Sequence, residues 1–464
     1  MLILEAAPFV GLYESKKSIQ EEVKNMKVNE TTQRFLNFVD RATTAFQTVD
    51  EISAMLEEKG FQNLSVQKKE KSPICAGGNY FLTCNRSSLI AFSVPKDYVP
   101  TFSVMASHSD SPMLKIKENA EHEAAGHYIT LDTERYGGTI YSTWFDRPLS
   151  LAGRVIVRKT VNGEQYFESK SVVFDRDLLV IPNVAIHMQK NINEECKYQA
   201  HIDLQPLFSL KEKKPSLKTM TAELLNVAEN DIKALELYVV NRTHGCIFGA
   251  DGEFFASPRI DNLQCAYATL QGFLKAKKYK NIAVYAIFDN EEVGSATKMG
   301  AASSFFFETL SKIAKSLDFD LSQAITSSFL ISADNAHALH PNHPELSDTK
   351  RAPVLNHGIV LKHNACQRYT TEAISATLVT EIAKKADVPI QLYANRSDML
   401  GGSTLGAITT TKVGMTAADI GLPQLAMHSS YETAGSADTD YLIRFSQVFY
   451  ESDASMSADG IMKM

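Results

Sequence analysis

Ile282-Ala-Val-Tyr-Ala-Ile-Phe288 is an unbroken apolar run, and Asp289-Asn-Glu291-Glu292 follows it without a gap. A strand-length run with no polar alternation belongs to a strand covered on both sides, the habit of parallel sheets sandwiched between helices. The flanks agree. Upstream, Asn262 to Lys278 carries Leu263, Tyr267, Leu270 and Leu274 on one helical face. Downstream, Phe329-Leu-Ile-Ser332 reads as a strand and Thr371 to Lys385 as a helix through Ile374, Leu378 and Ile382. Pro389-Ile-Gln-Leu-Tyr393 and Thr411-Lys-Val-Gly-Met415 read as further strands. This alternation predicts the α/β class: a mixed, largely parallel sheet with helices on both faces.

Nearer the start, Thr31 to Gly60 reads as one helix, and Ser88-Leu-Ile-Ala-Phe-Ser-Val94 and Thr101-Phe-Ser-Val-Met-Ala106 as two strands of the same sheet. From about 121 to 248 the texture changes. His127-Tyr-Ile-Thr-Leu131, Arg154-Val-Ile-Val-Arg158 and Ser171-Val-Val-Phe174 cluster β-branched residues, with Asn162-Gly163 as a hairpin turn. The expectation is an α/β domain over 1–120 and 249–464, interrupted by a β-rich insertion at 121–248. Met1 to Val10 is apolar but lacks a basic leader and contains Glu5, so it reads as a packing arm rather than a signal peptide.

The 464 residues are 44% hydrophobic and 22% charged, which excludes disordered and collagen-like chains. Lys+Arg 47 against Asp+Glu 54 leaves a net charge of −7 and no clustered basic stripe, so nucleic acid is not an expected partner. No run approaches the roughly 18 apolar residues of a membrane span. Cys75, Cys84, Cys196, Cys246, Cys265 and Cys366 are scattered without a C-x-x-C pair, which fits a reducing cytoplasm and core filling.

The chemistry gathers by position. His and acidic residues recur just after predicted strands: His108 and Asp110 in Ser107-His-Ser-Asp110, then Glu291 and Glu292, then Asp334, and His428 in Ala426-Met-His428. Open α/β sheets place their sites beyond the carboxyl ends of the strands, so these loops can converge. Asp261, opening the helix at 262, is a further candidate. Taken singly, each has an ordinary explanation. His108 and His428 can be satisfied polar residues, Glu291-Glu292 a solvated pair, Asp261 a helix N-cap and Asp334 a turn residue. Their joint placement argues otherwise. Two His with several carboxylates and no cysteine make a mixed N/O set suited to zinc, manganese or cobalt in a hydrolytic centre. The set is large enough for two metals about 3.5–4 Å apart with a bridging carboxylate. On an extended backbone Glu291 and Glu292 would point opposite ways, one to metal and one to substrate as a proton carrier.

Other constellations fare worse. No phosphate-cradling Gly-x-x-x-x-Gly-Lys-Ser/Thr loop occurs. Gly402-Ser-Thr-Leu-Gly406 reads as a tight turn or close-packed helix entry rather than a nucleophile elbow. His337, His340 and His343 read as loop histidines rather than a third metal site.

Longer motifs then become recognisable: Ser107-His-Ser-Asp-Ser-Pro112, Trp144-Phe-Asp-Arg-Pro-Leu-Ser-Leu-Ala-Gly-Arg154, Ile181-Pro-Asn-Val-Ala-Ile-His187, Arg259-Ile-Asp-Asn262, Phe288-Asp-Asn-Glu-Glu-Val-Gly294, Ser332-Ala-Asp-Asn-Ala-His337 and Gln424-Leu-Ala-Met-His428. On these the chain resembles, over nearly its whole length, the aspartyl-aminopeptidase family of tetrahedral, dinuclear zinc aminopeptidases. The resemblance implies two divalent ions per subunit, zinc first and manganese or cobalt as alternatives. Asp261 would bridge them, with His108 and Asp334 completing one and Glu292 and His428 the other. Glu291 would be the general base for release of the N-terminal residue from peptide substrates. Asp110 would accept the free ring N–H of His108 or otherwise steady that loop. His187 would reach from the inserted dimerisation or lid domain into a neighbouring subunit's site, making the active unit a dimer at least, with a dodecamer the expected assembly. Family members selective for acidic residues carry a Lys just before Gln-Arg-Tyr. Here Leu361-Lys-His-Asn-Ala-Cys366-Gln-Arg-Tyr-Thr370 offers Cys366 instead, with Lys362 four positions earlier, so a preference broader than aspartyl is expected. The rival readings are a dinuclear deacylase of N-acyl amino acids and a non-catalytic shell protein that binds peptides.

Overall fold

A computed structural model describes residues 30–65, 74–214, 216–399 and 401–464. The expected arm at Met1 to Val10 lies outside the described residues. A nine-stranded sheet runs in the order Gln62–Asn63, Asn79–Cys84, Ser88–Ser93, Asn281–Phe288, Val99–His108, Phe329–Ala333, Thr416–Gly421, Ile359–Lys362, Ile390–Tyr393. The four strands from Asn281–Phe288 to Thr416–Gly421 are parallel to one another. Antiparallel pairs join on both sides of them, at Ser88–Ser93 and at Ile359–Lys362.

The apolar run at 282–288 explains the layering. Along Asn281–Phe288 the side chains alternate between faces. Ala283, Tyr285 and Ile287 enter one core with Phe35, Ile52, Leu263, Phe273 and Phe449. Ile282, Val284, Ala286 and Phe288 enter the other with Phe102, Phe306, Leu310 and Leu405. Helices Ala45–Glu58, Ile260–Lys275, Ala373–Lys385 and Asp438–Glu451 thus cover the first face, and Phe305–Leu317 with Leu405–Lys412 the second. Each fully buried large side chain contributes about 1.5–3 kcal/mol, so a strand used on both faces is the natural centre. This is the α/β architecture expected.

Two local readings are corrected. The helix expected over 31–60 is two helices, 30–41 and Ala45–Glu58, because Thr44 takes extended backbone and its hydroxyl accepts from the Phe46 N–H, capping the second. The strand expected at 411–415 is instead the end of helix Leu405–Lys412, and the strand follows at Thr416–Gly421. The threonine run that reads as β is tolerated in a helix because Thr409 and Thr410 donate to the carbonyls of Leu405 and Gly406. The same helix has a close-packed entry: a Cβ on Gly406 would lie 2.8 Å from Asp419 Oδ1, and Thr404 donates to that carboxylate.

A second, six-stranded sheet is built from Met113–Ala124, Tyr128–Tyr136, Leu149–Val161, Glu164–Val173, Leu207–Leu210 and Ile232–Asn241. It has its own core around Trp144, Leu149, Leu151, Val155 and Leu237. Asn162 and Gly163 join two of its strands with φ of +53° and +84°, the left-handed pair that a two-residue hairpin requires. A five-stranded sheet, Cys246–Phe248, Phe254–Ser257, Glu432–Gly435, Pro423–Leu425 and Ala336–His337, lies beside the carboxyl ends of the large one. No helix among the described residues is long and apolar enough to cross a membrane.

Candidate metal centre

Strand register sets the stage. Phe288 pairs with His108, so the loop that begins at Asp289 leaves the sheet beside the last residue of Val99–His108. Ser332 pairs with Ala106 on the other side, which brings Asp334 to the same edge. Asp261 arrives from the first turn of Ile260–Lys275, where its backbone is non-helical and the Asp261–Asn262 peptide is cis. The Asp261 carboxylate is turned to the imidazoles of His108 and His428 rather than to the helix N–H groups, so the ordinary N-cap explanation does not hold.

His108 Nε2 lies 3.4 Å from Asp261 Oδ1 and 3.6 Å from Asp334 Oδ1. His428 Nε2 lies 3.4 Å from Asp261 Oδ2 and 3.5 Å from Glu292 Oε2. Asp261 therefore stands between the two imidazoles and turns one oxygen to each. The second ring nitrogens fix the tautomers: Nδ1–H of His108 donates to the Asp110 carbonyl at 3.0 Å, and that of His428 to the Gly138 carbonyl at 3.2 Å. Both Nε2 atoms face the carboxylates. Asp261 Oδ1 and Glu292 Oε1 are buried and find no hydrogen-bond partner among the described residues, an arrangement that costs stability unless a cation completes it. One ligand atom each from His108, Asp261 and Glu292 fall within 4.8 Å of one another. This donor set fits zinc.

The electrostatics carry the same message. Burial alone would lower the His108 pKa, yet Asp110, Asp261 and Asp334 raise it well above the ordinary value. Burial also opposes the charge on His428, but Asp261 and Glu292 push it up to about 10. Asp261, despite burial, is held far below the usual carboxylate range by the two imidazoles. Burial and the Asp261 charge drive Glu292 well above 4.5, and burial takes Glu291 up to about 8, against the pull of His108. Acid outweighs base here, and the two histidines gather protons to offset it. A divalent cation answers the same imbalance.

Glu291 and Glu292 do not sit on extended backbone. They open a short 3-10 turn, Glu291–Val293, entered through Asn290 at φ +63°. The turn forms because the Asp110 carboxylate accepts both N–H groups, Glu291 on Oδ1 and Glu292 on Oδ2, each at 3.2 Å. The Glu291 carboxyl is close enough to feel His108, Asp334, Asp110 and Asp261. Lys362 is buried, donates to the Asn335 carbonyl at 2.8 Å and lies 3.6 Å from Asp334 Oδ2. His187 stands apart, in an exposed loop, and makes no hydrogen bond or ion pair among the described residues. Cys366 is also exposed.

The sequence reading missed two participants. Glu432 is buried, accepts from the His428 N–H at 2.8 Å and the Asp261 N–H at 3.1 Å, and is pushed up to about 8 by burial and by Asp261. Nothing distinguishes it in sequence from any other glutamate. Tyr136 donates to Asp110 Oδ2 at 2.7 Å. The glycine pair after it was the available signal, since paired glycines at a strand end mark close backbone approach.

A sequence model of the family described as Aminopeptidase I zinc metalloprotease (M18) matches residues 38–450. The chain belongs to the M18 family. A probable M18 family aminopeptidase 2 of Clostridium acetobutylicum is 38% identical over 91% of this chain and 98% of its own. Aspartyl aminopeptidase 1 of Schizosaccharomyces pombe is 36% identical over 91% and 95%. Among solved structures, that of a complex of Ape4 and Nbr1 matches with a TM-score of 0.88 at 34% identity, over 92% of this chain and 86% of that one. The S. cerevisiae mApe1 dodecamer matches with a TM-score of 0.78 at 24% identity, over 90% and 96%, and shares the fold. This M18 chain is a zinc metalloaminopeptidase, a hydrolase of peptides.

Proposed function

We propose that the M18 chain holds two divalent cations per subunit, zinc in the first instance, and uses them to release the N-terminal residue of peptides. Asp261, His108, Asp334, Glu292 and His428 would hold them, His108 and Asp334 on one side of Asp261 and Glu292 and His428 on the other. The observation that carries this is the placement of the two Asp261 oxygens, each 3.4 Å from a different imidazole Nε2. When bound, such a pair supplies Lewis acidity to a water and to the scissile carbonyl. Glu291 takes the proton that the attacking water gives up and returns it to the nitrogen of the leaving amine. Burial raises the proton affinity of its carboxyl, and bound cations would lower it again, towards the ionised form a base needs. Asp110 holds the turn that carries Glu291 and, through its carbonyl, the ring of His108. Lys362 serves as the cationic neighbour of Asp334 rather than as a substrate contact, since its ammonium is engaged there and on Asn335.

The substrates include acidic N-termini, in line with the S. pombe relative, without being confined to them, because Cys366 brings no positive charge to the loop after Ile359–Lys362. The β-rich segment 121–248 acts in dimerisation, and the loop of His187 completes the site of a second subunit. In support, Val184, Ile186 and Met188 around it are 47%, 52% and 82% exposed, an apolar surface that a partner would cover. The assembly extends to a dodecamer, the state in which the S. cerevisiae relative was solved. Six free cysteines fit a reducing cytoplasm.

The test is a panel of aminoacyl chromogenic substrates, assayed after chelation and after return of zinc, manganese or cobalt. Activity should vanish on chelation, return with a divalent ion, and require a free α-amine. Activity indifferent to chelation, or faster cleavage of N-acyl amino acids, overturns the reading.

A further inference from the structure

The six-stranded sheet hands the chain back to the metal centre through Tyr136-Gly-Gly-Thr-Ile140, and almost every residue of that stretch touches a proposed ligand or its holder. At one end, the Tyr136 hydroxyl donates to Asp110 Oδ2 at 2.7 Å and accepts from Asn290 Nδ2 at 2.8 Å. Asp110 in turn holds the Glu291 and Glu292 N–H groups. In the middle, Gly137 sits at φ +75°, and a Cβ there would lie 3.1 Å from the Glu292 Cβ and 3.4 Å from Oε2. At the other end, the Gly138 carbonyl takes the Nδ1–H of His428, and the Ile140 N–H donates to the His428 carbonyl at 3.0 Å. Thr139 is itself pinned by the indole N–H of Trp144 at 2.6 Å.

A plain connection between two strands of one sheet, here Tyr128–Tyr136 and Leu149–Val161, needs none of these bonds. We propose that residues 136–140 form a positioning strap, through which the six-stranded sheet holds the Glu291–Glu292 turn at one end and the imidazole of His428 at the other. Tyr136 is its positioning residue for the base. Without the hydroxyl, Asp110 Oδ2 keeps only the Glu292 N–H, the anchor from outside the turn is lost, and the turn that aims Glu291 is free to rotate with the carboxylate. Gly137 sets the clearance for Glu292: an added methyl there must take a left-handed backbone and displace the carboxylate. The inference rests on the reading of Glu292 and His428 as ligands.

Tyr136→Phe and Gly137→Ala in the full-length, zinc-loaded protein test it, with kcat and KM measured separately, zinc retention followed against a competing chelator, and folding followed by thermal unfolding. Tyr136→Phe should lower kcat about 10- to 100-fold, the usual cost of losing a supporting hydrogen bond around a metal site, with KM within about twofold of wild type. Gly137→Ala should weaken retention of one zinc equivalent about tenfold. A Tyr136→Phe kcat within about twofold of wild type overturns the strap. So does a loss matched by an equal loss of folded protein. Should Gly137→Ala fail to fold, Tyr136→Phe decides alone. Glu292→Gln separates the two readings: zinc held as tightly as in the wild type sinks the ligand assignment itself, whereas zinc lost from Glu292→Gln beside silent strap variants sinks only the strap.

Discussion

His108 and His428 face the same carboxylate at the same distance, yet they are held in different ways. His108 is the last residue of a central strand, its side chain is 1% exposed, and its companion Asp334 follows the adjacent parallel strand. Backbone ladders fix that half, and packed core backs it. His428 follows a short strand of the five-stranded sheet, takes φ +70°, and keeps 31% of its side chain exposed. What holds it is a handful of hydrogen bonds, to Glu432, Gly138 and Ile140. One half of the centre is therefore made by the fold, and the other by side chains and loops gathered onto it. The first should be rigid and slow to exchange, and the second soft.

The largest effect expected belongs to neither half. Glu291→Gln keeps the size and removes the basicity, so kcat should fall about 10²- to 10⁴-fold, the range of a lost general base, while zinc per subunit stays unchanged by elemental analysis. Wild-type turnover in the metal-loaded variant refutes the role, and loss of zinc would make Glu291 part of one half after all. The next effect separates the halves directly. His108→Ala removes a buried ring from between three carboxylates and should cost about 2–4 kcal/mol of fold stability in addition to metal. His428→Ala should lose one zinc equivalent with a melting temperature close to that of the wild type. Equal losses of stability would break the comparison.

The same contrast explains what could be read from sequence. The apolar run at 282–288, buried on both faces, announced the sheet, and the positions just after its neighbouring strands announced His108, Glu291, Glu292 and Asp334. Those residues follow from local pattern because the ladder that positions them is local to each strand. His428 was reached by the same rule, although the strand before it lies in a different sheet. Glu432 and Tyr136 escaped because their roles exist only through contacts 171 and 26 residues away in the chain, to Asp261 and Asp110. The turn at 291–293 escaped for the same reason: the carboxylate that shapes it lies 181 residues upstream. Hydrogen bonds of that kind leave no periodicity behind.

Chelation offers a gentler probe. Zinc release from the wild type into excess chelator should proceed in two phases, the faster from the partly exposed His428 with its buried companion Glu292 and the slower from His108 and Asp334. Tyr136→Phe, by loosening the turn that carries Glu292, should quicken only the first. A single phase would show that Asp261 couples the halves more tightly than their exposures imply.

Glu432→Gln asks how the two halves are joined, and its effect should be the smallest. Oε1 accepts two bonds, from the His428 N–H and from Gln424 Nε2 at 3.1 Å, whereas Oε2 accepts one, from the Asp261 N–H. An amide at this position has only one oxygen to offer. It keeps more bonds by leaving that oxygen on His428 and Gln424, and its NH2 group then meets the Asp261 N–H donor to donor. The bond lost is the one that holds Asp261, the proposed bridge, not the one that holds the partly exposed imidazole. One hydrogen bond is worth about 1 kcal/mol, or roughly fivefold in a rate or equilibrium, so both phases of zinc release should quicken by about that factor together. If the fast phase alone responds, the amide has turned the other way, and Glu432 belongs with the loops that hold His428 rather than with the bridge.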